Sequence, residues 1–260
     1  MILTIDVGNT NITLGIYRGD RLTATGRIVT DPNLAGDEYE RLLKDLFAGW
    51  NIPCEYIEAV IVSSVVPPLD PVLHTLCGRC FAQEPLFVGP ETDMGISVCY
   101  EKPDEVGADR IVNAAAAYNK YRRSVVVVDL GTATTFDYVS PAGAYFGGAI
   151  APGIVISAEA LFQKAAKLPR VDVVCPEKVV GRNTVESMQS GIVYGYISLV
   201  DGIVTRIKQE VGTDPYVVAT GGLAPIIAEH ALGIDEVEEF LTLWGLKVVF
   251  DHSRNDPDSI

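Results

Sequence analysis

One device occurs twice in this chain. Residues 125–139, VVVVDLGTATTFDYV, repeat the design of the opening stretch MILTIDVGNTNITLGIY. Each copy begins with an apolar run, reaches an Asp-x-Gly core with threonine close behind (Asp6, Gly8, Thr10; Asp129, Gly131, Thr132) and returns to alternating apolar residues. A single glycine-rich turn of this kind is common and needs no function. Two copies 123 residues apart, each opening a similar set of strands, point to a duplicated half-domain. The 260-residue chain has room for two such halves of about 120 residues each.

Periodicity fills in both halves. Residues 2–6 and 12–17 read as strands joined by the polar turn Gly8-Asn9-Thr10-Asn11, with a third strand near 22–29. A helix opens at Asp37 with the stripe Tyr39, Leu42, Leu43, Leu46 and Phe47. A buried strand at 59–62, a helix over 70–82 and a strand at 85–88 follow. Gly107-Ala108-Asp109-Arg110 then leads an alanine-rich helix whose small side chains predict close packing against a neighbour. The second half restarts at Ser124 with strand, turn, strand and a third strand to Ile150, then a helix through Leu168. Asn183 or Thr184 caps a long helix running to about Val211. A strand at 216–219 precedes Thr220-Gly221-Gly222 and a further helix, and Leu246–Phe250 reads as a last edge strand. The expected organisation is residues 1–120, residues 121–250, and a polar, disordered tail at 251–260.

Composition removes several function classes. A net charge of −14 provides no basic face for nucleic acid or an acidic membrane surface. The longest apolar runs are too short, or too rich in Gly and Pro, to span a bilayer. Five cysteines, an odd number, and an N-terminal strand interrupted by Asp6 in place of a signal peptide fit a reduced, cytoplasmic protein. His74-x-x-Cys77-x-x-Cys80 has zinc-like spacing, but it falls within the predicted helix at 70–82 and reads as core.

The two turns suit phosphate. Glycine lets backbone amides approach phosphate oxygens, and Asn and Thr side chains add donors. An aspartate ending each first strand can hold a cation beside them. Thr220-Gly221-Gly222, between a strand and a helix, forms a third wall suited to an adenosine or its phosphate. With only three histidines, none in a motif, the base of a phosphoryl transfer should be a carboxylate. Asp109 is the candidate, although its position also suits a helix cap.

Together these segments resemble the acetate kinase, sugar kinase, Hsp70 and actin superfamily. That resemblance implies an α/β fold of duplicated ribonuclease H-like (actin-like ATPase) domains, mixed sheets flanked by helices, with an ATP cleft between the halves. DVGNTN, GADR, DLGTATTFD, GGAIAPG, LP, GRNTVESMQSGIVYG and ATGGLA are similar, in order, to type III pantothenate kinases, from Met1 to about Phe250. The resemblance implies ATP-dependent phosphorylation of pantothenate to 4′-phosphopantothenate, the first step towards coenzyme A. It makes Asp109 the proton acceptor, and it assigns Asp6, Val7, Gly8, Asn9, Thr10, Asn11, Ile12, Thr13 and Thr132 to ATP, with no role for the Thr13 side chain. Tyr100, Gly107, Ala108, Asp109, Arg110 and Thr184 fall to pantothenate, and Asp129 to a monovalent cation, K⁺ or NH₄⁺. Mg²⁺ accompanies ATP, with Asp6 a water-mediated anchor, and a homodimer is implied. The rivals are a sugar kinase or phosphohydrolase of the same superfamily, and a non-catalytic regulatory accessory factor of the same fold. Intact Asp109 and Asp129 weigh against the regulator.

Overall fold

The computed structural model describes residues 1–89 and 91–255. By internal contacts the chain divides into two compact units. The first comprises Met1–Gly95, Glu101–Ala116 and the chain from Thr242; the second comprises Ile96–Tyr100 and Ala117–Leu241. Relative to a division at residue 120, the boundary falls four residues earlier, Ile96–Tyr100 goes to the second unit, and the chain from Thr242 returns to the first.

The first unit is built on a five-stranded sheet, order β3-β2-β1-β4-β5, formed by β1 (Ile2–Val7), β2 (Asn11–Arg18), β3 (Arg21–Val29), β4 (Ala59–Ser64) and β5 (Leu86–Phe87). Strand alternation sends Leu3, Ile5, Val7, Ile12, Leu14 and Ile16 to one face. There they pack against α1 (Gly36–Trp50) through Tyr39, Leu43 and Phe47, and against α2 (Asp70–Phe81) through Leu73, Leu76, Cys77 and Phe81. Cys77 is thus a core side chain, while His74 points outward toward Glu84 at 3.6 Å. The periodic stripe and the Asp37–Glu38 first turn specify α1.

The second unit repeats that order. β7 (Val125–Leu130), β8 (Ala133–Val139), β9 (Ala144–Pro152), β10 (Tyr216–Thr220) and β11 (Glu236–Val237) form the series β11-β10-β7-β8-β9, extended at the β9 edge by β6 (Ser97–Val98). One face is closed by α5 (Thr184–Val211), whose Ile192, Val193, Tyr196, Ile197, Val200 and Val204 meet Val126, Val128, Leu130 and Phe136. The helix after β9 is α4 (Ile154–Lys164), ending short of the expected Leu168, and α6 (Ala224–Ala228) is a single short turn.

The sequence reading of 246–250 as an edge strand is corrected. These residues lie in α7 (Leu241–Asn255), where Leu243, Leu246, Lys247 and Phe250 recur at helical spacing and are buried. The apolar, β-branched run LKVVF is ambiguous by composition, and burial within the first unit decides for helix. The helix continues to residue 255, so the expected polar tail is helical over 251–255; its remainder, 256–260, lies outside the described residues. The alanines of α3 (Ala108–Tyr121) have the neighbour their size predicted. A β-carbon on Gly245 of α7 would come within 2.6 Å of the Val112 carbonyl and 3.0 Å of Ala116. Among the described residues no helix is long and apolar enough to cross a membrane.

Candidate active site

The first turn closes tightly. The Gly8 N–H donates to the Asn11 carbonyl at 3.0 Å, and Thr30 pins the turn from β3's end. The Thr30 hydroxyl donates to the Gly8 carbonyl at 2.7 Å, and its N–H donates to the Thr10 carbonyl at 3.0 Å. Asn9, Thr10 and Asn11 are exposed on the tip, whereas the Val7 and Ile12 side chains are sealed in the core. Those two can serve a ligand only through the backbone. Asp6 and Thr13 lie on the opposite face, in register with each other and with Ser63 of β4. The row Thr13–Asp6–Ser63 sets a hydroxyl on each side of the carboxylate. Ser63 is fully buried, and its Oγ makes no hydrogen bond among the described residues.

The same unit brings the Gly107–Arg110 segment to this turn. Val65 links them: its N–H donates to the Val7 carbonyl at 3.0 Å, and its Cγ1 lies 3.6 Å from where a Gly107 β-carbon would sit. Asp109 is the second residue of α3 and its carboxylate folds back over Gly107. A β-carbon there would fall 2.5 Å from Asp109 Oδ1, so this position needs glycine to leave the carboxylate in place. The Arg110 N–H is shared between the Gly107 carbonyl at 3.1 Å and Asp109 Oδ1 at 2.8 Å. The aspartate thus sits in the first turn, where amides and the helix dipole favour a carboxylate. Arg110 is largely buried, a costly state for a charge kept only for surface pairing.

In the second unit Asp129 repeats the arrangement of Asp6. It is in register with Thr135 on β8 and Thr220 on β10, again a carboxylate between two hydroxyl residues. Gly221, at φ +93°, lies against it: a β-carbon there would stand 2.7 Å from Asp129 Oδ1, and one on Gly131 would stand 3.2 Å from the same oxygen. The third glycine-rich element is thereby joined to the second turn. The carboxylate and the two threonines in register with it are oxygen donors of the kind a hard cation takes. Among the described residues no cluster of three or more His, Cys, Asp or Glu exists to form an all-protein metal cage. A divalent ion here would be held by one or two carboxylates plus phosphate and water, the usual manner for Mg²⁺. Thr132 is exposed on the turn, and Gly153, the cap of α4, lies so close that a β-carbon would run into the Thr132 carbonyl.

Tyr100 and Thr184 also belong to the second unit. The Tyr100 ring covers Gly147, whose φ is +92° and whose β-carbon would meet Tyr100 Cε2 at 2.5 Å. Thr184 is the first residue of α5 and is exposed. The cap is Asn183, whose Oδ1 accepts from the Glu186 N–H at 2.9 Å, while Glu186 in turn accepts from the Arg182 N–H at 2.8 Å. Thr184 therefore has no capping duty. It lines a cavity of about 710 Å³ with Ser157 and Leu161 of α4 and with Asn183, Ser187 and Met188.

The first unit thus holds Asp6 to Thr13 and Gly107 to Arg110, and the second holds Tyr100, Asp129, Thr132 and Thr184. Sequence reasoning missed Ser63, Thr135 and Thr220 as flanks of the two aspartates. Ser63 and Thr220 are separated by 157 residues, not 123, because α4 and α5 lengthen the second copy, so a fixed-offset search passes over the pair.

Two units, β-β-β-α-β-α-β and β-β-β-α-α-β-α-β, each with an aspartate-glycine turn, define the actin-like ATPase and sugar kinase fold. The chain is similar throughout to a Baf family transcriptional activator from Campylobacter jejuni (TM-score 0.63, 17% identity, 98% of this chain and 100% of the other). It is also similar to the inorganic polyphosphate/ATP-glucomannokinase of Arthrobacter (TM-score 0.52, 14% identity, 96% and 99% covered). At such identities these likenesses establish the fold alone. Residues 2–206 match the type III pantothenate kinase family, and a "Type III pantothenate kinase" from Geobacter sulfurreducens is 56% identical over 98% of this chain and 100% of its own length. The chain belongs to the type III pantothenate kinase family.

Proposed function

We propose that this chain transfers the γ-phosphoryl group of ATP to the hydroxyl of pantothenate, giving ADP and 4′-phosphopantothenate. Family membership supports the reaction, and one observation about the site carries its assignment. The Asp109 carboxylate is held in the first turn of α3, over Gly107 and against the Arg110 N–H, one residue from the largely buried Arg110 side chain. In this reading Asp109 accepts the hydroxyl proton as the oxygen attacks phosphorus, and Arg110 answers the carboxylate of the acceptor. Gly107 and Ala108 keep the approach open, and Tyr100 and Thr184 complete the acceptor's contacts. Gly8 to Asn11 and Thr132 offer backbone amides, amide side chains and hydroxyls to the phosphates, while Val7, Ile12 and Thr13 shape the strand ends. Asp6 anchors Mg²⁺ through water and Asp129 holds K⁺ or NH₄⁺, both ions offsetting phosphate charge.

The protein acts in the cytoplasm as a homodimer. The second unit supports a self-partner with exposed apolar side chains on and near α4 and at the start of α5, including Val155, Ile156, Leu161, Val179, Val180 and Val185.

The deciding experiment measures ADP release with ATP and Mg²⁺, with and without pantothenate, in K⁺ and then in Na⁺ alone. Pantothenate-dependent turnover that needs K⁺ is expected. No turnover with pantothenate in K⁺ would refute the reading. Sedimentation of the same sample at twice the chain mass is expected for the dimer.

A further inference from the structure

β8 carries a second aspartate that the proposed reaction does not use. Asp137 is fully buried, two residues beyond Thr135 on the same face of the strand. A carboxylate with no access to water persists only where donors are built around it. Here Tyr145 of β9 donates its hydroxyl to Asp137 Oδ1 at 2.7 Å, and Thr135 donates its own to Oδ2 at 3.1 Å. The Tyr145 ring is itself fully buried, and its backbone carbonyl accepts the Cys99 N–H at 2.8 Å, joining β9 to the segment that ends in Tyr100. The Tyr100 and Tyr145 rings lie 6.3 Å apart at 42°, and Gly147 leaves room for Tyr100 beside them.

We infer that Asp137 is a positioning residue: by fixing the Tyr145 hydroxyl it holds the aromatic wall against which Tyr100 is set, and so acts on acceptor binding from inside the sheet. The inference rests on the reading of Tyr100 as an acceptor contact. A charge-assisted bond from a buried tyrosine holds a ring more firmly than packing alone, because the alternative is a carboxylate stripped of a donor. The Tyr145 hydroxyl lies on the side of the network that leads through β9 to Cys99 and Tyr100, so its loss falls on the acceptor and not on ATP.

The test uses Tyr145→Phe, which removes one oxygen and keeps the ring, beside Asp137→Asn. Steady-state kinetics are combined with ¹⁹F NMR of 3-fluorotyrosine protein, the Tyr100 signal being assigned from Tyr100→Phe. For Tyr145→Phe the pantothenate KM should rise roughly tenfold, the size expected for one hydrogen bond to a charged group. The kcat and the ATP KM should stay within about twofold, and the Tyr100 resonance should shift or broaden. A merely structural role would lower thermal stability and the active fraction without moving the pantothenate KM, and that result would overturn the inference. An unmoved Tyr100 resonance would also overturn it. If Asp137→Asn fails to fold, Tyr145→Phe decides alone. Absence of pantothenate turnover in the parent protein would refute the acceptor reading instead, and the Tyr100 resonance would then decide the positioning claim by itself.

Discussion

Gly221 lies so close to Asp129 that a β-carbon on it would stand 2.7 Å from the carboxylate oxygen Oδ1. The same β-carbon would meet the Leu130 carbonyl carbon at 2.7 Å and its oxygen at 2.8 Å, and Gly221 has φ +93°. The glycine of one motif is thus shaped by the aspartate of another, 92 positions earlier in the chain.

Gly221→Ala should therefore be damaging and Gly222→Ala should not. The first is strained by conformation and by collision with backbone that cannot move aside, at about 1–3 kcal/mol or more. The second meets nothing within 4 Å among the described residues. Calorimetry should show a lowered Tm for Gly221→Ala only, with weakened K⁺ activation. Asp129→Ala should lose K⁺ activation outright while keeping its fold; an unchanged K⁺ dependence would place the cation elsewhere.

Asp109→Asn should keep the fold and nucleotide binding but cut turnover roughly 10²-fold or more, the contribution typical of a positioned base. Gly107→Ala offers a subtler probe. Its β-carbon meets the end of the Asp109 side chain, which can swing away, so stability should change little while kcat falls in the same direction. Equal kcat in Gly107→Ala and the parent would show that the position of this carboxylate does not matter.

Asn183 and Thr184 should separate stability from binding. Asn183→Ala removes the cap of a 28-residue helix and should cost about 1 kcal/mol in urea titration. Thr184→Val should leave that midpoint unchanged and raise the pantothenate KM. The reverse pattern would assign the cap to threonine.

Glu236 supplies a pH-dependent lock. Lys120, at the end of α3, bonds to Glu236 at 3.0 Å and also to Glu238. The Lys120 ammonium, with the Tyr216 hydroxyl at 2.9 Å, holds the Glu236 carboxyl down at about 2, below its ordinary 4.5. A depressed carboxylate pKa stabilises the folded chain above the ordinary value, and that contribution is lost as pH falls from about 4.5 through about 2. Urea midpoints at pH 7 and pH 3 should differ more for the parent protein than for Glu236→Gln. Equal differences would mean that other groups carry the acid response.

The duplication, both aspartate turns and the helical stripes were open to reading because each is local. Asp6-Val7-Gly8 and Asp129-Leu130-Gly131 advertise a turn in consecutive residues, and α1 shows its buried face by spacing alone. Register is not local. Nothing near Ser63 or Thr220 reveals that each lies late in a strand beside an aspartate far away in sequence, and nothing near Asp137 reveals the hydroxyl of Tyr145. LKVVF is equally good as strand or helix until Gly245 meets Val112 and Leu243 meets Gly15. The chain alone determined that there would be two similar units with phosphate-type turns. Tertiary structure decided which side chains flank each carboxylate, since strand pairing and helix packing are settled by burial across distant segments and not by the residues on either side.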